Sequence, residues 1–274
     1  MMVEALVYFF VPALVGVLIG IASGLLGIGG GTVMVPIFRL AFGMSATMST
    51  ATSLFAIIPT SISGAISHVK GKTCIPALGI AAGLGGACLS PVGVWLAQLS
   101  PDWLVMLTAA LIIGYSAINM FKKAFKLRPA GQPAAGVDAA APTADDSSLS
   151  RKQLLQGAAI GLVAGLASGY VGVGGGFIMV PLMLSIIGIP MRKASGTSLI
   201  AVMILAIPGV IEQGIIGNIN YLAGIAIVIG TIPGAAIGAR LVTKVPERTL
   251  RLLFGCFLIV AAVMLVLNEV GIFG

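Results

Sequence analysis

The sequence predicts an all-α integral membrane protein built from two inverted repeats of about five membrane segments each, with helices broken at glycine-rich motifs. Three observations carry this expectation. A 14-residue stretch occurs twice: residues 23–36 read SGLLGIGGGTVMVP and residues 168–181 read SGYVGVGGGFIMVP, with nine of 14 positions identical at a constant offset of 145. The chain is 58% hydrophobic and only 8% charged, with a mean hydropathy of +1.14, whereas a soluble domain carries roughly 25% charged residues. Its basic residues, finally, stand at the ends of apolar segments, where they order themselves by side of the membrane.

Taken in order, residues 5–26 form an apolar run of 22 residues, enough at about 1.5 Å per residue to cross a hydrocarbon core of roughly 30 Å. The run has no basic segment before it and aligns with a segment deep in the second half, so it reads as a span and not as a cleaved signal. Residues 27–31 are the break, since each glycine costs about 1 kcal/mol relative to alanine inside a helix. Residues 32–43 form a short half-helix with Pro36 and Arg39, and residues 46–66 a span opened by hydroxyls at Ser45, Thr47, Ser49, Thr50, Thr52 and Ser53. His68, Lys70 and Lys72 read as a basic loop. Spans follow at 75–99 and 103–121, joined by a tight turn at Ser100, Pro101 and Asp102, with Trp103 at an interfacial position.

The Ala- and Pro-rich segment 129–150 reads as a flexible cytoplasmic linker. It separates a first transmembrane repeat, 1–128, from a second, 151–274. The second contains apolar runs at 154–171, 177–189, 194–211, 221–239 and 250–267, with its break at 172–176. The repeat reaches beyond the glycines: Thr52-Ser53-Leu54 matches Thr197-Ser198-Leu199, Gly64 matches Gly209, Gly93 matches Gly238, and Pro101 matches Pro246, all at the same offset.

If the short post-glycine segment only dips into the membrane, the copies are parallel. If it crosses, they are inverted, and 14 of the 15 Lys and Arg fall on one side, Arg39 standing apart. The positive-inside rule therefore favours five crossings per copy, inverted, with both termini outside. Composition and charge exclude other classes. The net charge of +7 is topological and gives no reason to expect nucleic-acid binding. One histidine and three scattered cysteines, Cys74, Cys88 and Cys256, leave no metal or redox site, and the cysteines read as small buried hydrophobes. The spans offer no carboxylate pair or nucleophile–base set, so no enzymatic activity and no cofactor are expected.

The chemistry lies in the breaks. Irregular backbone inside a membrane is tolerated only where it is buried in protein or lines a wet cavity. Each glycine triplet, Gly29-Gly30-Gly31 and Gly174-Gly175-Gly176, precedes the start of a half-helix, whose free N–H groups and positive dipole end favour an anion. Thr32, Thr52, Ser53, Thr197 and Ser198 add hydroxyl donors to the expected substrate-binding set. Set against this, the glycines serve close helix packing, and the hydroxyls bond their own helices. Thr32 faces Phe177 at the equivalent position, so the two half-sites are unequal.

The paired GxGGG-x₃-V-P modules, the TSL triplets and the duplication near 145 residues resemble the sulfite exporter TauE/SafE family over essentially the whole chain except 129–150. The resemblance implies a multi-span inner-membrane transporter of sulfite, sulfoacetate or related sulfur-containing anions, with the Gly-rich motifs at 27–31 and 172–176. The expected function is a secondary transporter of a small sulfur-containing or organic oxyanion. A membrane potential of about 100 mV, negative inside, drives an anionic charge outward with roughly 2.3 kcal/mol, so export needs no coupling ion. An anion channel is the first alternative; a membrane assembly factor or enzyme is the second. The expected partners are a small anionic substrate and the lipid bilayer, with a homo-oligomer left open.

Overall fold

A computed structural model describes residues 2–126 and 150–269, with side chains from residue 12 onward in the first helix. Among the described residues the chain is helical throughout: α1 Met2–Leu26, α2 Gly31–Phe42, α3 Ala46–Lys70, α4 Pro76–Leu99 and α5 Asp102–Lys126 in the first repeat. The second has α6 Arg151–Val171, α7 Gly176–Leu182 running on into a π-helical turn Met183–Ile187, α8 Met191–Ile216, α9 Tyr221–Leu241 and α10 Glu247–Glu269. Seven of these helices are long and apolar enough to cross a membrane, and α1, α2 and α7 with its π turn provide shorter apolar stretches. The linker expected over 129–150 lies outside the described residues except for Ser150. That residue caps α6 in a capping box with Gln153.

The helices pack by interleaving the two repeats, along seams of small residues. Gly16, Gly20 and Gly24 of α1 lie against Ile227–Gly230, Thr231–Ala235 and Ala235–Ala239 of α9. The same seam recurs where Gly157, Gly161, Gly165 and Gly169 of α6 meet Leu78, Ala82, Gly86 and Ser90 of α4. At most of these glycines an added Cβ would run into a carbonyl of the facing helix. Close backbone approach of this kind drives helix association where lipid removes the hydrophobic term.

Pairing fixes direction. Residue numbers rise together in α1 against α9, and in α3 against α9, where Asn220 N donates to Thr52 Oγ1 at 3.0 Å and Thr60 meets Thr231 at 2.6 Å. They run oppositely in α3 against α8, where Gly64 faces Leu199 while Gly209 faces Leu54. Thus α1, α3 and α9 point one way, and α8 points the other. For α1 and α3 to be parallel, α2 must carry the chain back between them. Each half therefore makes an odd number of traverses, and the repeats are inverted.

Hydrogen bonds repeat across the pseudo-two-fold in reciprocal pairs. Thr52 Oγ1 accepts from Asn220 N at 3.0 Å and Thr197 Oγ1 from Ile75 N at 2.9 Å. Likewise Asp102 accepts from Ala46 N at 3.3 Å and Glu247 from Met191 N at 3.2 Å. Each exchange is displaced by 145 residues at both partners.

Two local expectations change. His68 does not lie in a basic loop: it ends α3, fully buried, with Nε2 at 2.8 Å from Gly24 O and Nδ1 at 2.7 Å from Thr73 Oγ1. A carbonyl only accepts, so Nε2 carries the proton and satisfies an oxygen left over at the end of α1. Of the cysteines only Cys74 is buried, whereas Cys88 and Cys256 face outward.

Candidate functional site

The two breaks meet at the centre of the molecule. Gly29 and Gly30 hold φ of 81° and 87°, and Gly174 and Gly175 hold 88° and 67°, a region that suits glycine. These turns redirect the chain without a helical ladder and launch α2 and α7. A Cβ on Gly31 would stand 2.5 Å from Val173 O, while one on Gly176 would stand 2.9 Å from Ile28 O. These are reciprocal contacts, so the half-helix starts touch backbone to backbone. Ile57, midway along α3, packs against Gly29, Gly31 and Gly174, and Val202, its counterpart on α8, packs against Gly29. The half-helix starts thus converge from opposite sides at mid-depth. Neither has a side chain bonded to its first-turn N–H groups.

The hydroxyls around this point divide into two classes. Thr52 and Thr197 accept from the backbone at the starts of α9 and α4, and Ser198 Oγ donates to Gly27 O at 2.7 Å and to Ser195 O at 2.8 Å. These three pin the repeats to each other. By contrast Thr32 and Ser53 are fully buried with no hydrogen-bond partner. So are Ser23, Ser49, Ser61 and Ser168, which sequence reasoning did not single out as site residues. Ser23 and Ser61 flank the first break: a Cβ on Gly30 would lie 3.6 Å from Ser23 Cβ, and one on Gly29 would lie 3.5 Å from Ser61 Oγ.

A sequence signal for part of this set exists. Ser49, Ser53, Ile57 and Ser61 recur every fourth residue and share one face of α3. The second copy has Ala194, Ser198, Val202 and Ala206 there. A polar stripe present in one copy only is not required by the fold. Buried polar groups normally find partners, so several orphaned hydroxyls in one place ask for a ligand or water.

The electrostatics are those of neutral dipoles. The fully buried polar side chains among the described residues are Ser, Thr, one His and one Gln, with no charged group. No cluster capable of holding a metal is found among them. On the second side Phe177 fills the place of Thr32, fully buried, and Leu205 that of Thr60.

Comparison with known proteins is consistent with this architecture. The family model described as "Sulfite exporter TauE/SafE" matches residues 12–265. Relatives include the probable membrane transporter protein YunE of Bacillus subtilis (strain 168), 27% identical over 97% of this chain and 99% of its own length. The probable membrane transporter protein YdhB of the same organism is 29% identical, covering 87% of this chain and 92% of its own. A probable membrane transporter protein of Haemophilus influenzae is 29% identical, covering 93% and 97%. No solved structure matches.

Proposed function

The chain belongs to the sulfite exporter TauE/SafE family, and from that premise we propose that it is a secondary transporter exporting a small sulfur-containing or organic oxyanion, held where the two half-helices meet. Family membership makes it a multi-pass membrane transporter. The identity of the cargo, its direction and its site are our own reading. In it the N–H groups at Gly29, Gly30 and Gly31 and at Gly174 and Gly175 form the backbone part of the cage, with Gly176, whose N–H donates to Gly174 O at 2.8 Å, closing the second turn. Thr32 and Ser53 donate hydroxyls to it, joined by Ser23 and Ser61. Thr52, Thr197 and Ser198 act one step back, holding the elements that present those donors.

The observation that carries the reading is the cluster of buried, unpartnered hydroxyls at the start of α2. Hydroxyl and amide hydrogens suit sulfite, sulfonate or carboxylate oxygens. Neutral donors in a low-dielectric site also bind an anion without trapping it, as transit requires. A full cation there would hold the anion more tightly and slow its release.

The test is transport by the purified protein in proteoliposomes, with sulfite, sulfoacetate, taurine, thiosulfate and simple carboxylates as candidates. A transporter shows saturation and counterflow with at least one anion, whereas unsaturable flux would mean a channel. Gly30→Leu should abolish transport while the protein still inserts. The left-handed backbone there costs a side-chain-bearing residue about 1–2 kcal/mol, and a Cβ would meet the ends of the Met34 and Ile19 side chains at 3.0 and 3.1 Å, groups that can give way, so the bundle should still form while the side chain covers the N–H groups. Wild-type transport by this variant would dispose of the cage.

A further inference from the structure

A second candidate site lies on the flank of the bundle. A cleft of about 760 Å³ opens between α5 and the α6–α7 pair, its walls formed mainly by apolar groups such as Ile112, Val163, Leu166 and Ile178. One wall is unusual. Thr108, Ser116, Asn119 and Lys123 follow one another along α5 and line the cleft. Lys123 Nζ donates to Pro181 O at 3.2 Å and to Ser185 Oγ, both on α7 and its π turn. Opposite stands Tyr170, whose hydroxyl donates to Ser100 Oγ at 3.0 Å.

The duplication supplies an internal control. Displaced by 145 residues, Thr108, Ser116, Asn119 and Lys123 become Leu253, Ala261, Met264 and Asn268. In the same way Ser185 corresponds to Leu40 and Tyr170 to Leu25. The other copy builds the same helices from apolar residues at five of these six places. The polarity is therefore not needed for the fold, and ionisable groups inside a membrane helix are costly unless used.

We propose that this cleft seats an acidic phospholipid, with its phosphate on Lys123 and an acyl chain along the apolar wall. Charge complementarity selects this occupant. Lys123 lies near the basic end of α5, on the face that also carries Lys122, Arg151 and Lys152. Basic pockets between membrane helices at a basic face bind anionic headgroups. A small free oxyanion would leave most of so apolar a cleft empty. The phosphate would draw Lys123 away from Pro181 O, so the lipid would bear directly on the half-helix behind the second break.

Native mass spectrometry of the full-length protein in mixed micelles of phosphatidylglycerol and phosphatidylcholine tests this. Wild type should retain phosphatidylglycerol over phosphatidylcholine by about tenfold or more. Lys123→Ala should reduce the preference to parity, while Asn268→Ala, at the matching place of the other copy, should leave it unchanged. If Lys123→Ala does not yield folded protein, Asn119→Met is measured in the same way and should weaken the preference severalfold. The proposal is overturned by equal retention of both lipids in wild type, or by a preference that survives whichever of these two variants folds. Displacement of the lipid by millimolar inorganic phosphate would overturn it too, marking a small-anion site. None of these readouts uses transport, so the result stands apart from the fate of the central anion site.

Discussion

Thr32 and Thr52 are both buried threonines near the first break, and the structure separates them. Thr32 has an orphaned hydroxyl, whereas Thr52 accepts from Asn220 N at the start of α9. The isosteric change to valine should therefore act in opposite ways. Thr32→Val removes a buried hydroxyl that has no protein partner, so thermal stability should hold or rise. Its anion affinity should nonetheless fall by roughly ten- to a hundredfold, the value of a lost hydrogen bond to a charged group. Thr52→Val strips a cap and should lower stability by about 0.5–2 kcal/mol, with a smaller effect on affinity. Paired melting and binding measurements on the two variants decide the assignment; equal affinity losses would collapse the distinction. Sequence reading led to these hydroxyls because the TSL triplets recur in both copies. It could not tell partnered hydroxyls from unpartnered ones, because the backbone groups that Thr52 and Thr197 hold at the starts of α9 and α4 come from the opposite repeat.

At the scale of elements, the breaks were legible because glycine triplets oppose helix in any setting. The half-helices α2 and α7 begin within one residue of their expected starts. The π turn after α7 was not legible. It coincides with Ser185 and Lys123, both of which bond Pro181 O, a contact that joins helices from different repeats. The glycine seams were half-legible: the spacing of Gly16, Gly20 and Gly24 is visible, but its partner helix is not. That seam and its mate on α6 should dominate assembly. A Cβ on Gly165 would collide with the Gly86 carbonyl, and one on Gly20 would stand 2.8 Å from Thr231 Cα. Gly165→Leu should thus prevent α6 from seating on α4, and the detergent-solubilised protein should aggregate or melt well below wild type. Gly114, whose Cβ would meet nothing within 4 Å, provides the control, and Gly114→Leu should assemble normally. Comparable behaviour of the two variants in size-exclusion chromatography would remove the seam from the account.

For the whole molecule, helix direction turns a charge pattern into a topology. Because α1 and α3 are parallel, the α1–α2 hairpin starts and ends on one side, and α3, α4 and α5 deliver the chain to the other. The second repeat reverses this, so the start of α1 and the end of α10 share a face. The loops after α3 and α9 and the starts of α6, α8 and α10 share the opposite face. There stand Lys70, Lys72, Arg151, Lys152, Arg192, Lys193, Arg240, Lys244, Arg248 and Arg251, while Arg39, at the end of α2, lies on the terminal side. The sequence reached this division by counting charges, and the structure reaches it from side-chain and backbone pairings that take no account of charge. Each basic residue near a membrane surface favours the cytoplasmic side, so an asymmetry this large leaves little room for dual insertion. A cysteine at Lys72 should therefore react with a membrane-impermeant maleimide only after cells are opened. A tag added after Gly274 should instead be cleaved by protease applied to intact spheroplasts. Labelling of Lys72→Cys from outside, with the tag protected, would turn the molecule over. The direction of export would stand even so, since a potential that is negative inside drives an anion outward whichever way the protein is inserted.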